Sequence, residues 1–363
     1  MTSRERVLAA FRREPPDRVP ATLYGEIVGY VPAVAEMLRR HCGGRSPREY
    51  FGCDITSVAI APSRRRADFS RYIHPDENTL VDEWGVGWQG GHYLHYARIL
   101  HPLEHLSLAE IHEYPFPDLD AAYRYADMRA QVQALHRQGL AVACFPGSIF
   151  EQAWYLRGMD RLFLDILQER ATADFLLDRI TDLVAGAAAR VAAAGVDLLV
   201  LGDDIAHQHG LLMSLALWRE VFKPRLAHVI RAAREAAPDI HIFYHSDGNV
   251  WAAIPDLIEV GVTVLNPVQP ECMDPAAVKR EFGDRLAFFG TVSVQRTMPF
   301  GTPDEVRAEV KLRIQTVGRG GGLLLAPAHV LQPDTPWENV VAFFAAVAEY
   351  GWYASSAKRR RRL

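Results

Sequence analysis

The chain has 363 residues, 49% of them hydrophobic and 23% charged, with a formal net charge of −4. That balance excludes a disordered or fibrous chain and offers no global basic field for nucleic acid. Four scattered cysteines (Cys42, Cys53, Cys144, Cys272) with no Cys-x-x-Cys pair argue against a disulfide framework or a cysteine-rich structural zinc site. No apolar run approaches the roughly 18 residues of a membrane span.

The first residues read as a helix start, because Thr2 and Glu5 have the spacing of a capping box. They do not resemble a secretory leader, so a cytoplasmic protein is expected. Short apolar runs then recur, each closed by polar or glycine residues and followed by a helical pattern. Val19–Tyr24 is the first predicted strand and Ile55–Ala61 the second. The remaining six are Ala141–Phe145, Asp197–Leu201, Ile242–Tyr244, Thr263–Asn266, Leu286–Phe289 and Leu323–Ala326. The later runs are continuously apolar, as strands buried on both faces require. Helices are predicted at Ala173–Ala194, Ser214–Phe222, Pro224–Ala236 and Pro303–Thr316, with caps at Thr172, Ser214 and Thr302.

Eight strands alternating with helices predict an α/β fold closed into a (β/α)8 TIM barrel. A doubly wound open sheet is the runner-up, but no G-x-G-x-x-G follows the first strand and there is no P-loop. Between the second and third strands the rhythm breaks. The glycine-punctuated stretch Asp82–Gly91, running on to Ile99, predicts an inserted β-hairpin. An insertion there falls on the catalytic face, as a lid or pocket wall; packing on the side of the barrel is the alternative. One barrel domain over residues 1–353 is expected, followed by a basic tail over 354–363. The tail, with its Lys358–Arg362 run, reads as a solvated terminus or as a patch for anionic partners.

In such a barrel the chemistry gathers where strands end. The fourth strand leads into Asp203 and Asp204, the fifth into His245 and Asp247, the sixth into Asn266, and the eighth into His329. Imidazoles and carboxylates converging on one mouth can bind a metal or run acid/base chemistry. His245 and Asp247 lie two apart, so in extended chain both can reach one ion.

Taken together, several motifs resemble the uroporphyrinogen decarboxylase superfamily, which holds the haem-pathway decarboxylase and the cobalamin-linked or coenzyme M methyltransferases. They are Arg4–Phe11 with Pro16–Pro20, Gly147–Gly158, Trp218–Pro224, Phe243–Asn249, Asn266–Pro270 and Gly321–Pro336. The resemblance implies a (β/α)8 barrel. It places Asp54 at the decarboxylases' substrate-binding aspartate, Tyr155 at their active-site tyrosine and His329 at their active-site histidine. Where the decarboxylases carry an arginine-rich motif for the substrate's carboxylates, this chain has Thr22–Val28 without a basic residue. A polycarboxylate tetrapyrrole would be poorly neutralised there.

The methyltransferase branch implies a zinc held by a His-x-Cys pair and a later Cys. Here those positions read His245, Asp247 and His329, a harder set suited to zinc or to iron. Asp203 and Asp204 are then expected as orienters, extra ligands or contacts to a cationic substrate. Trp84, Trp88, Phe150 and Trp154 are candidates for an aromatic pocket around it. The leading expectation is a metal-dependent methyltransferase acting on a small methylated substrate or a corrinoid carrier protein, without nucleic-acid or membrane partners and as a homodimer. A decarboxylase of a small acid using Asp54, Tyr155 and His329 is the alternative. A corrinoid- or ligand-binding barrel without turnover is the third.

Overall fold

The computed structural model describes residues 1–90 and 98–353; the predicted tail and part of the predicted hairpin lie outside them. In chain order the strands are β1 (Ile55–Ser57), β2 (Thr79–Val81), β3 (Gly87–Gln89), β4 (Arg98–Leu100), β5 (Ala141–Cys144) and β6 (Leu198–Gly202), followed by β7 (Ala206–His207), β8 (Gly210–Leu211), β9 (His241–His245), β10 (Val264–Asn266), β11 (Ala287–Val292) and β12 (Leu323–Pro327). Seven of them form one parallel sheet in the order β1-β5-β6-β9-β10-β11-β12.

The first predicted strand closes this sheet. Ala21 bridges Leu325 of β12 in parallel. Thr22 donates its N–H to Leu325 at 3.1 Å, and Leu325 donates to the Pro20 carbonyl at 2.9 Å. On the other side Asp54, just before β1, donates to the Ala21 carbonyl at 3.0 Å. The segment is an eighth stave without a regular ladder, and Pro20 is one reason, since it has no N–H to donate. The result is a (β/α)8 TIM-barrel fold.

Strand periodicity divides the apolar side chains into two cores. Ala141 and Ala143, Leu198 and Val200, Phe243, Phe289, and Leu324 and Ala326 fill the barrel interior together with Tyr24. Their neighbours Val142, Leu199, Ile242, Tyr244 and Leu325 face outward into the larger core beneath the helices. On β9 the same period puts His241 and His245 on the inner side with Phe243, one at each end. The helix Ser3–Phe11 opens with the expected Thr2/Glu5 capping box and sends Val7 and Phe11 into the interior at the N-terminal rim.

Most predicted helices agree with the structure within three residues: Arg170–Ala193, Leu215–Val221, Lys223–Ala236 and Pro303–Thr316. Ser214 and Thr302 cap theirs through side-chain hydrogen bonds. Thr172 does not cap; it is buried inside a helix that begins two residues earlier. In the region between β1 and β5, β2, β3 and β4 pair as a three-stranded antiparallel sheet, one strand more than a hairpin.

Candidate metal centre at the strand ends

His245 is the last residue of β9, Asp247 follows it by two, and His329 lies two residues beyond the end of β12. Their ligand atoms, one from each residue, all lie within 4.8 Å of one another. His245 Nε2 is 3.9 Å from Asp247 Oδ1 and 3.6 Å from Asp204 Oδ1. The imidazole rings of His245 and His329 are 5.5 Å apart, and the buried Tyr24 ring is 5.6 Å from each.

Local packing dictates this arrangement. Gly202 at the end of β6 allows β9 to come close, since a Cβ there would sit 2.8 Å from His245 Cβ. Buried Ser246 accepts the Ile205 N–H and donates to the Asp247 carbonyl, each at 3.1 Å. Asp204 Oδ1 accepts the Asp247 N–H at 2.7 Å. These bonds tie the two loops together and keep both carboxylates beside His245. Asn266, paired with His245 in the β9–β10 register, places its Oδ1 2.5 Å from His245 Nδ1.

Three further acidic or phenolic groups complete the mouth. Asp203 is buried and accepts the N–H groups of Ile149 and Glu151 through one oxygen, each at 3.0 Å. It therefore anchors the start of the helix Phe150–Arg157 to the end of β6. Burial and the neighbouring Glu151 push its carboxyl upward, against the backbone bonds that favour the anion. Glu151 accepts a hydrogen bond from the Tyr155 hydroxyl at 3.0 Å. Burial first, and then the charge of Asp204, push Glu151 up to about 7, which places it among groups able to exchange protons near neutrality. For His245, burial works against the charged ring, but Asp204, Asp247 and the Asn266 hydrogen bond outweigh it, so the net direction is upward.

A tetrahedral site needs nitrogen and oxygen donors about 2.0–2.2 Å from the ion. Donor spacings of this size are close to that requirement, and two imidazoles with a carboxylate suit zinc or iron. The residues present fit a divalent metal, with Asp204 as a further oxygen within reach.

Residues 96–350 match the family model described as Uroporphyrinogen decarboxylase (URO-D). The chain belongs to the uroporphyrinogen decarboxylase family. It is 26% identical over 366 aligned positions to the uroporphyrinogen decarboxylase of Methylococcus capsulatus, covering 94% of this chain and 97% of that one. It is 31% identical over 174 positions to the methylcobamide:CoM methyltransferase MtaA of Methanosarcina barkeri, covering 48% of each. Among solved structures, a methyltransferase from Methanosarcina mazei superposes with a TM-score of 0.69 at 21% identity, covering 96% of this chain and 99% of that one. That likeness bears on the fold.

Within this uroporphyrinogen decarboxylase fold the expected site residues separate into two groups. His245, Asp247, His329, Asp204 and Asp203 meet at the C-terminal rim, and Tyr155 joins them through Glu151. Asp54 does not. It precedes β1 instead of following it, so it lies at the opposite rim, fully buried. There it takes Arg6 Nη1 at 2.6 Å, Arg18 Nη1 at 2.9 Å, the Ser3 hydroxyl at 2.7 Å and the Ala21 N–H at 2.9 Å. Its oxygens are committed to holding the first helix and the closing stave, and the role expected from the resemblance is corrected to a structural one.

The aromatic pocket also changes. Phe150 and Trp84 are core side chains. Trp88, on β3, packs edge-on to Tyr155 with ring centroids 5.0 Å apart, and Trp154 lies 4.1 Å from the same ring. The inserted sheet thus reaches the mouth through Tyr155 and Glu151. Glu151 and Tyr24 were not singled out as site residues, and Asn266 was noted only as a strand end. Asn266 ends β10, whereas Glu151 is the second residue of the helix that follows β5, and the signal that could have found it is an acidic residue opening the helix after a strand.

Proposed function

We propose that this barrel is a metal-dependent methyltransferase-type enzyme. It would take a methyl group from a small methylated molecule or a methyl-corrinoid carrier, with the metal held by His245, Asp247 and His329. The observation that carries this reading is the convergence of those three donor sets within 4.8 Å at the mouth of the barrel. The partial match to a methylcobamide:CoM methyltransferase supports the reaction class. Zinc is the expected ion and iron the alternative; when bound it supplies a Lewis acid that lowers the pKa of a heteroatom it touches.

The protein groups divide the remaining work. Asp203 holds the start of the helix that carries Glu151 and Tyr155. Glu151, facing the mouth with Tyr155 on its Oε1, takes or returns the proton of the group that accepts or releases the methyl. The Trp88–Tyr155 wall limits access of water to that proton. With no arginine or lysine paired to these carboxylates among the described residues, a neutral or cationic substrate fits better than a polycarboxylate.

Alignment with a uroporphyrinogen decarboxylase over nearly the whole chain supports the second reading, decarboxylation of a small acid. With Asp54 at the far rim, such a reaction would rest on Tyr155, Glu151 and His329. Elemental analysis separates the two. Stoichiometric zinc or iron in purified protein, lost in His245→Ala and Asp247→Ala, is expected. It would be followed by thiol-dependent demethylation of methylcobalamin, read by visible absorbance. Protein that stays metal-free after dialysis against zinc would sink the proposal and favour the decarboxylase.

A further inference from the structure

Asn266 stands where three strands meet, and its amide has only one workable orientation. Its Nδ2 donates to the Phe289 carbonyl of β11 at 2.9 Å. Flipping the amide would set its carbonyl oxygen against that carbonyl, leaving two acceptors face to face with no proton between them. The oxygen that faces His245 is therefore Oδ1, 2.5 Å from Nδ1, and it can only accept. A neutral imidazole carries one proton, so Nδ1 has it and Nε2 is bare. The bare Nε2 is the nitrogen turned toward Asp204 and Asp247.

The surroundings hold Asn266 in place. It is fully buried, and its own carbonyl accepts the Ser246 N–H at 3.1 Å. The Thr291 N–H reaches the Pro267 carbonyl at 3.0 Å. Gly290, at φ +113°, leaves the room the amide occupies: a Cβ there would lie 3.2 Å from Asn266 Nδ2 and 2.9 Å from the Pro267 carbonyl. Val268 and Thr291, both β-branched, sit at φ +48° and +78° on either side of this joint. Such conformations are unfavourable for β-branched residues and persist where the surrounding structure over-determines them.

We infer that Asn266 is the positioning residue of the metal centre: bound between Phe289 and His245, it fixes the His245 proton on Nδ1 and keeps Nε2 as a ready donor for a divalent cation. This rests on the metal reading above, yet its central claim concerns a tautomer and can be tested without metal. In Asn266→Leu the ring loses its close acceptor and keeps only the longer contact of the Tyr24 hydroxyl, 3.3 Å from Nδ1, and Co2+ affinity, read from the d–d absorption of the titrated protein, is expected to fall about 10- to 100-fold. Asn266→Asp keeps an acceptor on Nδ1–H but sets a second oxygen against the Phe289 carbonyl, so it is expected to bind Co2+ less tightly than the parent yet clearly more tightly than Asn266→Leu, a partial rescue that a merely space-filling role would not produce. Gly290→Ala, which touches neither histidine, is expected to weaken Co2+ by displacing the amide.

For the metal-free parent protein, 15N-histidine spectra at alkaline pH, with His245 assigned by its loss in His245→Gln, are expected to show the Nδ1–H form. An Nε2–H form, or Asn266→Leu binding Co2+ as tightly as the parent, overturns the inference. If the parent takes up no Co2+, the metal reading fails, and the nitrogen spectrum alone still decides the role of Asn266.

Discussion

Both rims of the barrel are rich in acidic side chains, and the structure treats them in opposite ways. At the N-terminal rim the ones drawn into the fold have a fixed cation. Asp54 meets Arg6 and Arg18, Asp17 meets Arg6, and Asp197 meets Arg4 at 2.9 Å and His136 at 2.9 Å. At the C-terminal rim Glu151, Asp203, Asp204 and Asp247 gather near His245, and among the described residues no arginine or lysine pairs with them. A buried carboxylate that already has its guanidinium is a finished joint. One without a partner raises its pKa or accepts a cation from outside. The difference teaches where the fold spends its charge on holding together and where it leaves charge for a ligand.

The sharpest way to break this comparison is to remove one carboxylate from each rim. Asp54→Ala leaves Arg6 and Arg18 without their shared partner in a buried place, so urea unfolding is expected to show a loss of about 3–5 kcal/mol, with metal content per folded molecule unchanged. Asp247→Ala is expected to do the reverse, losing metal with little change in the stability of the metal-free protein. Equal destabilisation by the two would erase the distinction.

A pH titration probes the N-terminal rim through one ring. His241, at the start of β9, is held down to about 4, first by burial and then by the charge of Arg12. The native state keeps this ring neutral while the unfolded chain binds its proton below about 6.5. Its contribution is therefore fully present above that value and lost as pH falls from about 6.5 to about 4, up to about 3 kcal/mol in all. Glu151 at the other rim, raised to about 7, works in the opposite sense over much of the same window, so the measurement is a difference: the stability of the parent relative to His241→Leu should fall toward acid.

The C-terminal rim should answer to metal instead. Zinc at a hundred times its dissociation constant is expected to stabilise the parent by about 2.7 kcal/mol, seen as a rise in melting temperature that a chelator reverses and Asp247→Ala abolishes. The smallest effect belongs to the ring contact of Trp88 with Tyr155, expected to couple the two by about 0.5–1.5 kcal/mol in a double-mutant cycle built on Trp88→Ala, which also loses the Nε1 bond to Asp82. If the inserted sheet does wall the mouth, that variant should also make Tyr155 easier to nitrate.

The comparison also explains what could be read from the residues alone. Continuous apolar runs such as Leu198–Gly202 and Leu323–Pro327 announced buried parallel strands, because both faces of such strands must be apolar. His245 and Asp247 were legible because a period of two is a local property, and His329 because it follows a strand. Asp54 was assigned to the site by the resemblance, although it precedes its own strand and so falls at the N-terminal rim; what lay out of sight is that Arg6 and Arg18, from elsewhere in the chain, meet it there. The role of Asn266 was hidden for a related reason. Its partners, His245 and Phe289, belong to neighbouring strands, and only the register of the folded sheet brings all three to one level.

The stave formed by residues 19–22 has a consequence in time. Its partners are Asp54 on one flank and Leu325 on the other. The ribosome delivers Leu325 about three hundred residues after Ala21, so this seam cannot be sealed while the chain is still being made. Until then the side of Pro20–Thr22 that faces β12, and the edge of β11, stand open as unpaired backbone. A nascent chain halted before Leu323 is thus expected to expose this edge to proteases and chaperones, and release of the last strand should be the moment at which protection appears.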